Sequence, residues 1–574
     1  MPSDVDHLVD RSIAEWKVPG LALAVIQDDE VVLLKGYGVR DIDSRLPVTV
    51  STQFLLCSIT KSFTAAGLGI LVDEGKLEWR RPVREYIPEF RLYDAVATER
   101  VTVRDLLCHH SGLPRHDWIH APGDLSTAQV LATLRHLEPS RDLRDVYQYQ
   151  NLGYLVAGHV AERITGMSWD AFITERLLRP LGLTDMSLSI EALRDAPDHA
   201  HPHVADNDEV RRASWAPIRN LPAGGLNASV SDLAKWMRFL MNDGIVDGES
   251  LLSANVVRQM SAPHVHVGRS VFSEVGDFHY GFGLQVGHYR GERVLSHSGS
   301  WLGWGTLMTM LPERRLGVAV LTNYVPTAVG ELLTYSAFDE LCAHQPIDWF
   351  ERFRSRRRQL LAQQKIDDAA RKELRRADTA PTHALDDYAG DYEHPAYGRI
   401  SIATQSGTLA WRWRGLSGQL EHRHYDVFAT PHKVGELYPD GLLLTFGYNR
   451  EGVIDQIAAA LEPMVEDIVF RRIASGDALD PAFLARCAGA YAHGAQQMTV
   501  TLAAAGHLTL HIVGQPRRRL TPCGERTFDI GELKGYRVEF HRLSSNVVDA
   551  MIFHQPNGTF LALRDTEKPD EPES

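Results

Sequence analysis

The last third of the chain repeats itself at a fixed offset, and this repeat limits the folds that the segment can adopt. Tyr388-Ala-Gly-Asp-Tyr392 is echoed by Cys487-Ala-Gly-Ala-Tyr491, 99 residues later. Further matching pairs at offsets of 99 or 100 residues are Leu409 with Leu508, Leu420 with Leu520, and Phe428 with Phe528. Each copy consists of short runs in which apolar and polar residues alternate, as in strands. The repeat therefore predicts two small antiparallel β-barrel-like domains, over residues 381–475 and 480–565.

The first 345 residues alternate strand-like and helix-like segments. Gly20–Ile26 and Val31–Leu34 flank the turn residues Asp28 and Asp29, which indicates a hairpin. A second hairpin is predicted where Leu307–Leu311 and Leu316–Leu321 flank Pro312. Ser62–Glu74 and Leu152–Ile164 have helical spacing and are each followed by a glycine. Residues 1–345 are therefore predicted to form an α+β domain, an antiparallel sheet flanked by helices.

Residues 346–380 differ in composition from both neighbouring segments. Eight arginines between Trp349 and Ala377 alternate with Leu360, Leu361 and Ile366 and with several acidic residues. A basic run can bind nucleic acid, but this mixed spacing is more typical of a solvated connecting helix. We therefore interpret residues 346–380 as a linker between the first domain and the two barrels.

Charge and composition exclude several classes of function. The 60 Lys and Arg against 74 Asp and Glu give a formal net charge of −14, which argues against a nucleic-acid partner. No apolar run approaches 18 residues, and the polar, acidic start has no apolar segment of a secretory signal, so we expect a cytoplasmic protein without membrane contact. The five scattered cysteines indicate reduced thiols, and no metal or nucleotide cofactor is predicted.

Two motifs place reactive side chains at the starts of the two predicted helices. Ser58 precedes Lys61 by three residues, which puts both side chains on one helix face. The helix N-terminus favours the anions that an attacking serine forms. Tyr149-Gln-Asn151 stands directly before the helix Leu152–Ile164. A lysine ammonium beside Tyr149 would favour its phenolate and make it a better base, and Asn151 could donate its amide to a substrate carbonyl.

A third motif, His297-Ser-Gly299-Ser300, comes directly before the second predicted hairpin. Gly299 would let a substrate lie close to the backbone, and the N–H of Ser300 is placed to donate to an oxyanion. His110-Ser-Gly112 is a competing copy of the same pattern. We favour His297 because only this copy follows Tyr149 in the chain and leads into strands.

In order and spacing, the three motifs resemble the serine β-lactamase and penicillin-binding-protein superfamily, nearest its class C, esterase and D-aminopeptidase branches. The resemblance covers residues 8–345. Supporting stretches are Val18-Pro-Gly-Leu21, Leu106–Pro114, Gly224-Gly-Leu226 with Asp232, and Leu321-Thr-Asn323. The repeated units add a similarity of architecture to three-domain D-aminopeptidases, in which two antiparallel barrels follow the catalytic domain.

The resemblance implies a serine hydrolase that works through an acyl-enzyme on Ser58. Lys61 and Tyr149 would move the proton, and the sequence leaves open which of them is the base in each step. The N–H groups of Ser58 and Ser300 would hold the oxyanion. Asn151 would orient the acyl part, and His297 would support Tyr149 or the substrate.

The expected substrates are amide bonds of short peptides or amino-acid amides, with D or non-standard residues included. A carboxylesterase would use every residue named above, so an ester substrate is an open alternative. A sensor or scaffold that is acylated without turnover is the alternative outside enzymes, and the intact Ser58, Lys61 and Tyr149 argue against it. The sequence also leaves open assembly into a homo-oligomer.

Two further expectations come from the resemblance. β-Lactamases usually carry a lysine where His297 stands, and a histidine is mostly neutral at pH 7, so we expect poor hydrolysis of β-lactams. In the aminopeptidases a loop of the last barrel reaches the catalytic cleft. The candidate segment for such a loop here is Gly524–Gly535, with Glu525, Asp529 and Glu532, and a solvent-exposed loop without contact to the cleft is the open alternative.

Overall fold

The structure of the protein is a computed structural model. It describes residues 5–120, 124–206, 209–373, 375–376, 378–430, 441–473, 480–504, 506–524, 526–531, 533, 535–541 and 548–565. The chain forms two compact units, Met1–Arg375 with Leu461–Glu466, and Arg376–Ala460 with Asp467–Ser574. The predicted fold class, a helix-flanked antiparallel sheet followed by two small antiparallel β domains, is confirmed. The domain limits drawn from the sequence stay predictions.

The first unit is built on one sheet of eight antiparallel strands. They are β1 Gly20–Gln27, β2 Glu30–Gly38, β3 Val265–Arg269, β4 Asp277–Tyr280, β5 Gln285–Tyr289, β6 Glu292–Trp301, β7 Trp304–Leu311 and β8 Leu316–Thr322. Their order in the sheet is β3-β4-β5-β6-β7-β8-β1-β2, so the two ends of the unit meet where β8 pairs with β1. Nearly all of β1 and β8 is buried, because helices cover both faces of the sheet there.

Both predicted hairpins are present. Asp28 and Asp29 join β1 to β2 and both have a positive φ, the conformation that suits a two-residue hairpin turn. Leu307–Leu311 lies in β7 and Leu316–Leu321 in β8, and a short helical turn at Pro312–Arg314 joins them.

Six longer helices surround the sheet. They are α1 Val5–Trp16, α2 Thr60–Asp73, α3 Leu152–Thr165, α4 Val230–Met241, α5 Val329–Leu341 and α6 Trp349–Glu373. The shorter ones are Val83–Tyr86, Ala95–Arg100, Val103–Leu107, Thr127–Thr133, Trp169–Ile173, Ile190–Asp195, Leu221–Gly224 and Ala254–Met260. α2 starts two residues before the predicted Ser62, because a 3-10 turn at Cys57–Ile59 leads directly into it. Gly166 ends α3 in the left-handed conformation, as the sequence predicts.

The predicted connecting helix corresponds to α6. Trp349, Phe350 and Phe353 at its start are buried in the core of the first unit, where Phe350 packs edge-on against Trp16. Leu360, farther along the helix, is exposed to solvent. Among the described residues, no helix combines the length and the apolar character needed to cross a membrane.

The second unit contains the two predicted β domains. A nine-stranded antiparallel sheet comprises β9 Gly390–His394, β10 Gly398–Gln405, β11 Thr408–Trp413, β12 Leu416–Gln419, β13 Glu421–His424, β14 Val427–Ala429, β15 Leu443–Tyr448, β16 Ile454–Ala459 and β17 Ile468–Arg472. A closed eight-stranded barrel comprises β18 Gly489–His493, β19 Gln496–Leu502, β20 Leu508–Ile512, β21 Arg518–Pro522, β22 Thr527–Ile530, β23 Arg537–His541, β24 Ala550–Gln555 and β25 Gly558–Arg564. Short helices, Leu385–Tyr388 and Pro481–Cys487, precede them.

The sequence repeat corresponds to the same local hydrogen bond at the start of both β domains. Tyr392 donates its hydroxyl hydrogen to the carbonyl of Tyr388, and Tyr491 donates to the carbonyl of Cys487, both at 2.8 Å. Gly390 and Gly489 each have a φ near +150°. A Cβ atom at either glycine would come within 3.0 Å of the guanidinium group of an arginine in the last strand of that domain. Because the guanidinium group can move, it is mainly the positive φ that favours glycine at the same point of both copies.

Candidate active site

A sharp turn between a short strand and α2 presents Ser58. Phe54–Leu55 forms the strand, and Cys57 follows with a φ of +50°, a conformation that is uncommon for a residue with a side chain. This turn reverses the chain so that the half-buried Ser58 lies at the N-terminal end of α2. Cys57 is buried, and burial raises the pKa of its thiol well above the usual range, so it stays protonated.

Lys61 lies one helical turn further on and is completely buried. Its Nζ is 3.1 Å from Ser58 Oγ, 2.8 Å from Asn151 Oδ1 and 2.8 Å from the carbonyl oxygen of Ala223. Burial, assisted by the positive charge of Arg115, lowers the pKa of Lys61 well below the usual lysine value. A neutral amine has two N–H groups and one lone pair. Because the amide and carbonyl oxygens can only accept, the lone pair is left for the Ser58 hydroxyl.

Tyr149 contacts the same serine from another side. Its hydroxyl lies 2.8 Å from Ser58 Oγ, and Lys61 Nζ lies 4.9 Å from the centre of its ring. The sequence suggested that a lysine ammonium would favour the phenolate. Burial instead raises the pKa of Tyr149 well above the usual range, although the contact with Ser58 opposes this shift. Burial therefore favours the neutral forms of both Lys61 and Tyr149.

A charged pair that sequence reasoning missed holds Asn151 in place. Asn151 Nδ2 donates to Asp117 Oδ1 at 3.1 Å, and Arg115 Nε donates to the other oxygen of Asp117 at 2.6 Å. The partly exposed guanidinium of Arg115 also lies 5.2 Å from the ring of Tyr149. With its amide held by Asp117, Asn151 turns its oxygen toward Lys61. The sequence signal that could have revealed this pair is the position of Arg115 and Asp117, directly after the family-like stretch Leu106–Pro114.

His297 lies on β6 among other aromatic side chains. Its Nε2 accepts a hydrogen bond from Tyr280 at 2.7 Å, and its Nδ1–H donates to the carbonyl of Ser298 at 2.7 Å. Burial first, and the charge of Lys61 second, lower the pKa of His297 to about 3. The sequence allowed His297 to support Tyr149. In the structure, His297 Nε2 is instead occupied by the hydrogen bond from Tyr280. Sequence reasoning missed Tyr280 because it follows none of the three motifs.

The competing motif, His110-Ser-Gly112, lies next to the same aromatic side chains, but the residue that contacts them is His109, directly before the motif. His109, not His110, packs against Tyr149 and Tyr280, with ring centres 4.4 and 4.6 Å apart. His109 is fully buried, and burial lowers its pKa well below the usual histidine value. No group of three His, Cys, Asp or Glu side chains among the described residues is arranged to bind a metal ion.

Gly299 brings β6 against the turn that carries Ser58. A Cβ atom at this position would lie 2.2 Å from the carbonyl oxygen of Leu56 and 2.9 Å from Cys57 Cβ. The hydroxyl of Thr306 on β7 also donates to the Leu56 carbonyl, at 2.9 Å. Gly299 is thus required for close packing between two parts of the protein, where the sequence suggested close approach of a substrate. Ser300 follows and is exposed.

A short segment from a later part of the chain belongs to the first unit. Leu461–Glu466 follows β16 and precedes β17, yet it groups with Met1–Arg375. The buried carboxylate of Glu462 accepts a hydrogen bond from the backbone N–H of His116 at 2.7 Å, between Arg115 and Asp117. The segment that the sequence offered as the one reaching the catalytic cleft from the C-terminal domains was Gly524–Gly535. Its Glu525 and Glu532 lie outside the described residues, so that role stays a prediction.

The fold and the three motifs define the class of this protein, a hydrolase with a β-lactamase-like fold. The chain belongs to the β-lactamase family, whose model matches residues 5–340. A second family model, a domain of unknown function named DUF3471, matches residues 374–472. Members of the β-lactamase-fold family are serine hydrolases.

Two curated relatives and one solved structure give the extent of the similarity. Unguisins hydrolase ungD' of Aspergillus campestris is 28% identical over 426 residues, which cover 70% of this chain and 78% of the relative. Protein flp of Staphylococcus aureus is 23% identical over 343 residues, 58% of this chain and 65% of the relative. The octameric penicillin-binding protein homologue from Pyrococcus abyssi has a TM-score of 0.53 at 23% identity, covering 82% of this chain and all of that one. The last similarity concerns the fold alone.

Proposed function

We propose that the protein hydrolyses amide bonds of short peptides or amino-acid amides through an acyl-enzyme on Ser58. The observation that carries this proposal is the set of contacts around Ser58 Oγ, with Lys61 Nζ at 3.1 Å and Tyr149 Oη at 2.8 Å. A serine hydroxyl is a weak nucleophile until an adjacent base takes its proton. Two groups within hydrogen-bonding distance of Oγ can take and return that proton.

Lys61 is the base in the acylation step. Its pKa is lowered by burial, and its two N–H groups are directed to Asn151 Oδ1 and the Ala223 carbonyl, so its lone pair can take the Ser58 proton. Ser58 Oγ then forms a bond to the substrate carbonyl carbon, whose electron pair moves onto oxygen. When the tetrahedral intermediate collapses, the C–N bond breaks and the leaving amine takes up a proton.

Tyr149 is the acid that gives its proton to the leaving amine. Burial keeps the proton on its hydroxyl, and that hydroxyl already contacts Ser58 Oγ, which becomes the ester oxygen of the acyl-enzyme. The proton that Lys61 took from Ser58 restores Tyr149, so the pair ends the step as it began. In deacylation Tyr149 passes its hydroxyl proton to Lys61 as it takes one from the attacking water, and Lys61 gives its proton to Ser58 Oγ when the bond between Oγ and the acyl carbon breaks.

The oxyanion is held by the backbone N–H groups of Ser58 and Ser300. Support comes from Gly299, which brings β6 so close to Leu56 and Cys57 that Ser300 follows directly beside the turn of Ser58. Loss of one oxyanion donor lowers kcat by about 10² to 10³ in serine hydrolases. His297 positions this strand through Tyr280 and carries no charge at neutral pH.

The substrate class is supported by resemblance. The three-domain architecture is similar to that of D-aminopeptidases, and a relative that is 28% identical over 426 aligned residues is named an unguisins hydrolase. An ester would meet the same groups, so a carboxylesterase is the competing outcome. Assembly into a homo-oligomer is a separate prediction, measured by light scattering of the full chain.

A substrate panel tests the proposal. Wild type, Ser58→Ala and the matched control Ser51→Ala, an exposed serine outside the site, are assayed on p-nitrophenyl esters and on D- and L-amino-acid p-nitroanilides. We expect turnover of p-nitroanilides by wild type and Ser51→Ala and none by Ser58→Ala. Turnover of esters alone would establish a carboxylesterase. Covalent labelling without turnover of any substrate would establish a sensor.

A further inference from the structure

The closed barrel of the second unit has a cavity at one end. Connections between β18 and β19, β20 and β21, β22 and β23, and β24 and β25 meet at the same end of an up-and-down barrel. Strand residues near this end, together with residues of the β20–β21 and β22–β23 connections, line a cavity of about 380 Å³. An eight-stranded barrel is just wide enough to be filled by side chains or to hold one small ligand. This cavity is also within the size range of small-molecule sites.

The base of the cavity is apolar. Met498, Leu510, Ile530 and Phe553 line it and belong to the buried core of the barrel. Ile512, Leu533, Tyr536 and Phe560 line it too, but these four are only partly buried and pack on the outside of that core. The barrel thus leaves a set of large apolar side chains half-covered at one end. Apolar area of this kind favours a ligand with an apolar chain.

Polar side chains also line the cavity, namely His493, Gln496, Gln515 and Gln555. Arg518 adds a positive charge to them. It is the middle residue of the run Arg517-Arg-Arg519 at the start of β21. Side chains alternate along a strand, and Leu520, two residues later, lies in the barrel core. Arg518 therefore faces the cavity, whereas Arg517 and Arg519 are exposed.

One buried donor of Arg518, its Nε, has no acceptor among the described residues. Within the described part of the chain, the side chain also forms no ion pair. Its stem lies against Gly531, where a Cβ atom would contact it at 3.7 Å. Other arginines of this unit, such as Arg537 and Arg564, have oxygen acceptors. A buried donor without a partner is unfavourable, and a guanidinium pairs best with a carboxylate.

We propose that the open end of the barrel binds a small amphipathic carboxylate, an alkyl carboxylate of medium chain length. The carboxylate would pair with Arg518, and the chain would lie on Tyr536, Phe560 and the apolar base. A peptide commonly binds a β domain by adding a strand to a free edge. The barrel is closed and offers no such edge among its described strands, which favours a free small molecule.

The test is a calorimetric titration of the full chain with decanoate, below the concentration at which decanoate aggregates. Arg518→Gln should weaken binding by tenfold or more, while Arg519→Gln, the exposed neighbour, should stay within twofold of wild type. Decanol, which has the same chain but no charge, should bind at least tenfold more weakly than decanoate. Wild type whose Ser58 has first been labelled with a fluorophosphonate should bind decanoate unchanged, which separates this site from the proposed catalytic one.

Any of the following results would overturn the proposal. They are no saturable binding to wild type, equal weakening by Arg518→Gln and Arg519→Gln, equal affinity for decanol and decanoate, and loss of binding after labelling of Ser58. Tighter binding of N-acetylphenylalanine than of decanoate would reject the alkyl carboxylate in favour of a peptide C-terminus. Ile512→Asp, which places a negative charge on the cavity wall, should abolish decanoate binding if the chain lies there.

Discussion

Gly299→Ala tests the geometry around Ser58 with a single added methyl group. The new Cβ would lie 2.2 Å from the Leu56 carbonyl oxygen and 2.3 Å from Thr306 Oγ1. Real Cβ atoms essentially never come within 3.0 Å of such atoms, so β6 or the turn before Ser58 must shift by about 0.8 Å. The N–H of Ser300 follows Gly299 directly and moves with it. The proposed oxyanion site therefore widens by a comparable distance.

The expected effect is large on catalysis and moderate on stability. A misplacement of about 1 Å can lower a rate by about 10², which corresponds to about 2.7 kcal/mol of transition-state stabilisation. Overpacking of a well-packed site lowers the free energy of unfolding by about 1–3 kcal/mol. We therefore expect kcat to fall about a hundredfold, with a smaller change in KM because the apolar contacts of a substrate would remain.

Gly317→Ala is the matched control on the same sheet. Its Cβ would meet Met237 Cε at 2.8 Å and Ile26 Cδ1 at 3.3 Å, which are ends of flexible side chains that can move. Both variants are assayed on the substrate that wild type turns over, with rates divided by the fraction of protein that a fluorophosphonate labels. Wild-type kcat in Gly299→Ala, or an equal loss in Gly317→Ala, would refute the proposed oxyanion site.

Four further predictions concern charge, substrate choice and positioning. Since burial lowers the pKa of Lys61, kcat/KM should rise with pH along a limb below the usual lysine range and level off once the amine is neutral. The pKa of His297 is about 3 in the folded chain against 6.5 for an ordinary histidine, so the unfolded chain binds more protons between these values. The free energy of unfolding should therefore fall as pH drops from 6.5 to 3, and it should fall less in His297→Asn. Because His297 is neutral at pH 7, nitrocefin turnover should stay far below that of the best substrate. Glu462→Ala should lower kcat about tenfold, because it releases the segment around His116 that holds Asn151. Glu462→Gln keeps an acceptor for the His116 N–H and should retain most of the wild-type kcat. Equal kcat in the two variants would contradict this role of Glu462.

Much of the fold followed from local sequence patterns. The hairpin at Asp28 and Asp29 was predictable because few sequences tolerate two consecutive residues with positive φ. The two β domains were predictable because Tyr392 and Tyr491 keep the same hydrogen bond and therefore the same neighbours in the sequence. Ser58 and Lys61 share a face because they are three residues apart in one helical segment.

The parts that sequence reasoning missed depend on contacts between distant residues. Tyr280 on β4 reaches His297 on β6, with β5 between them, and Glu462 reaches His116 from 346 residues away in the chain. Protonation states were also out of reach, because the pKa of Tyr149 depends on how deeply the fold buries it. A pattern in the sequence shows which groups are available, whereas burial decides which of them carries a charge.

The central claim is that Ser58 is the nucleophile. Mass spectrometry of the full chain after reaction with a fluorophosphonate, followed by peptide mapping, tests it most directly. The proposed mechanism predicts one adduct, on the peptide that contains Ser58, and no adduct in Ser58→Ala, while Ser51→Ala labels like wild type. An adduct on another serine, or undiminished labelling and turnover in a folded Ser58→Ala variant, would contradict the claim.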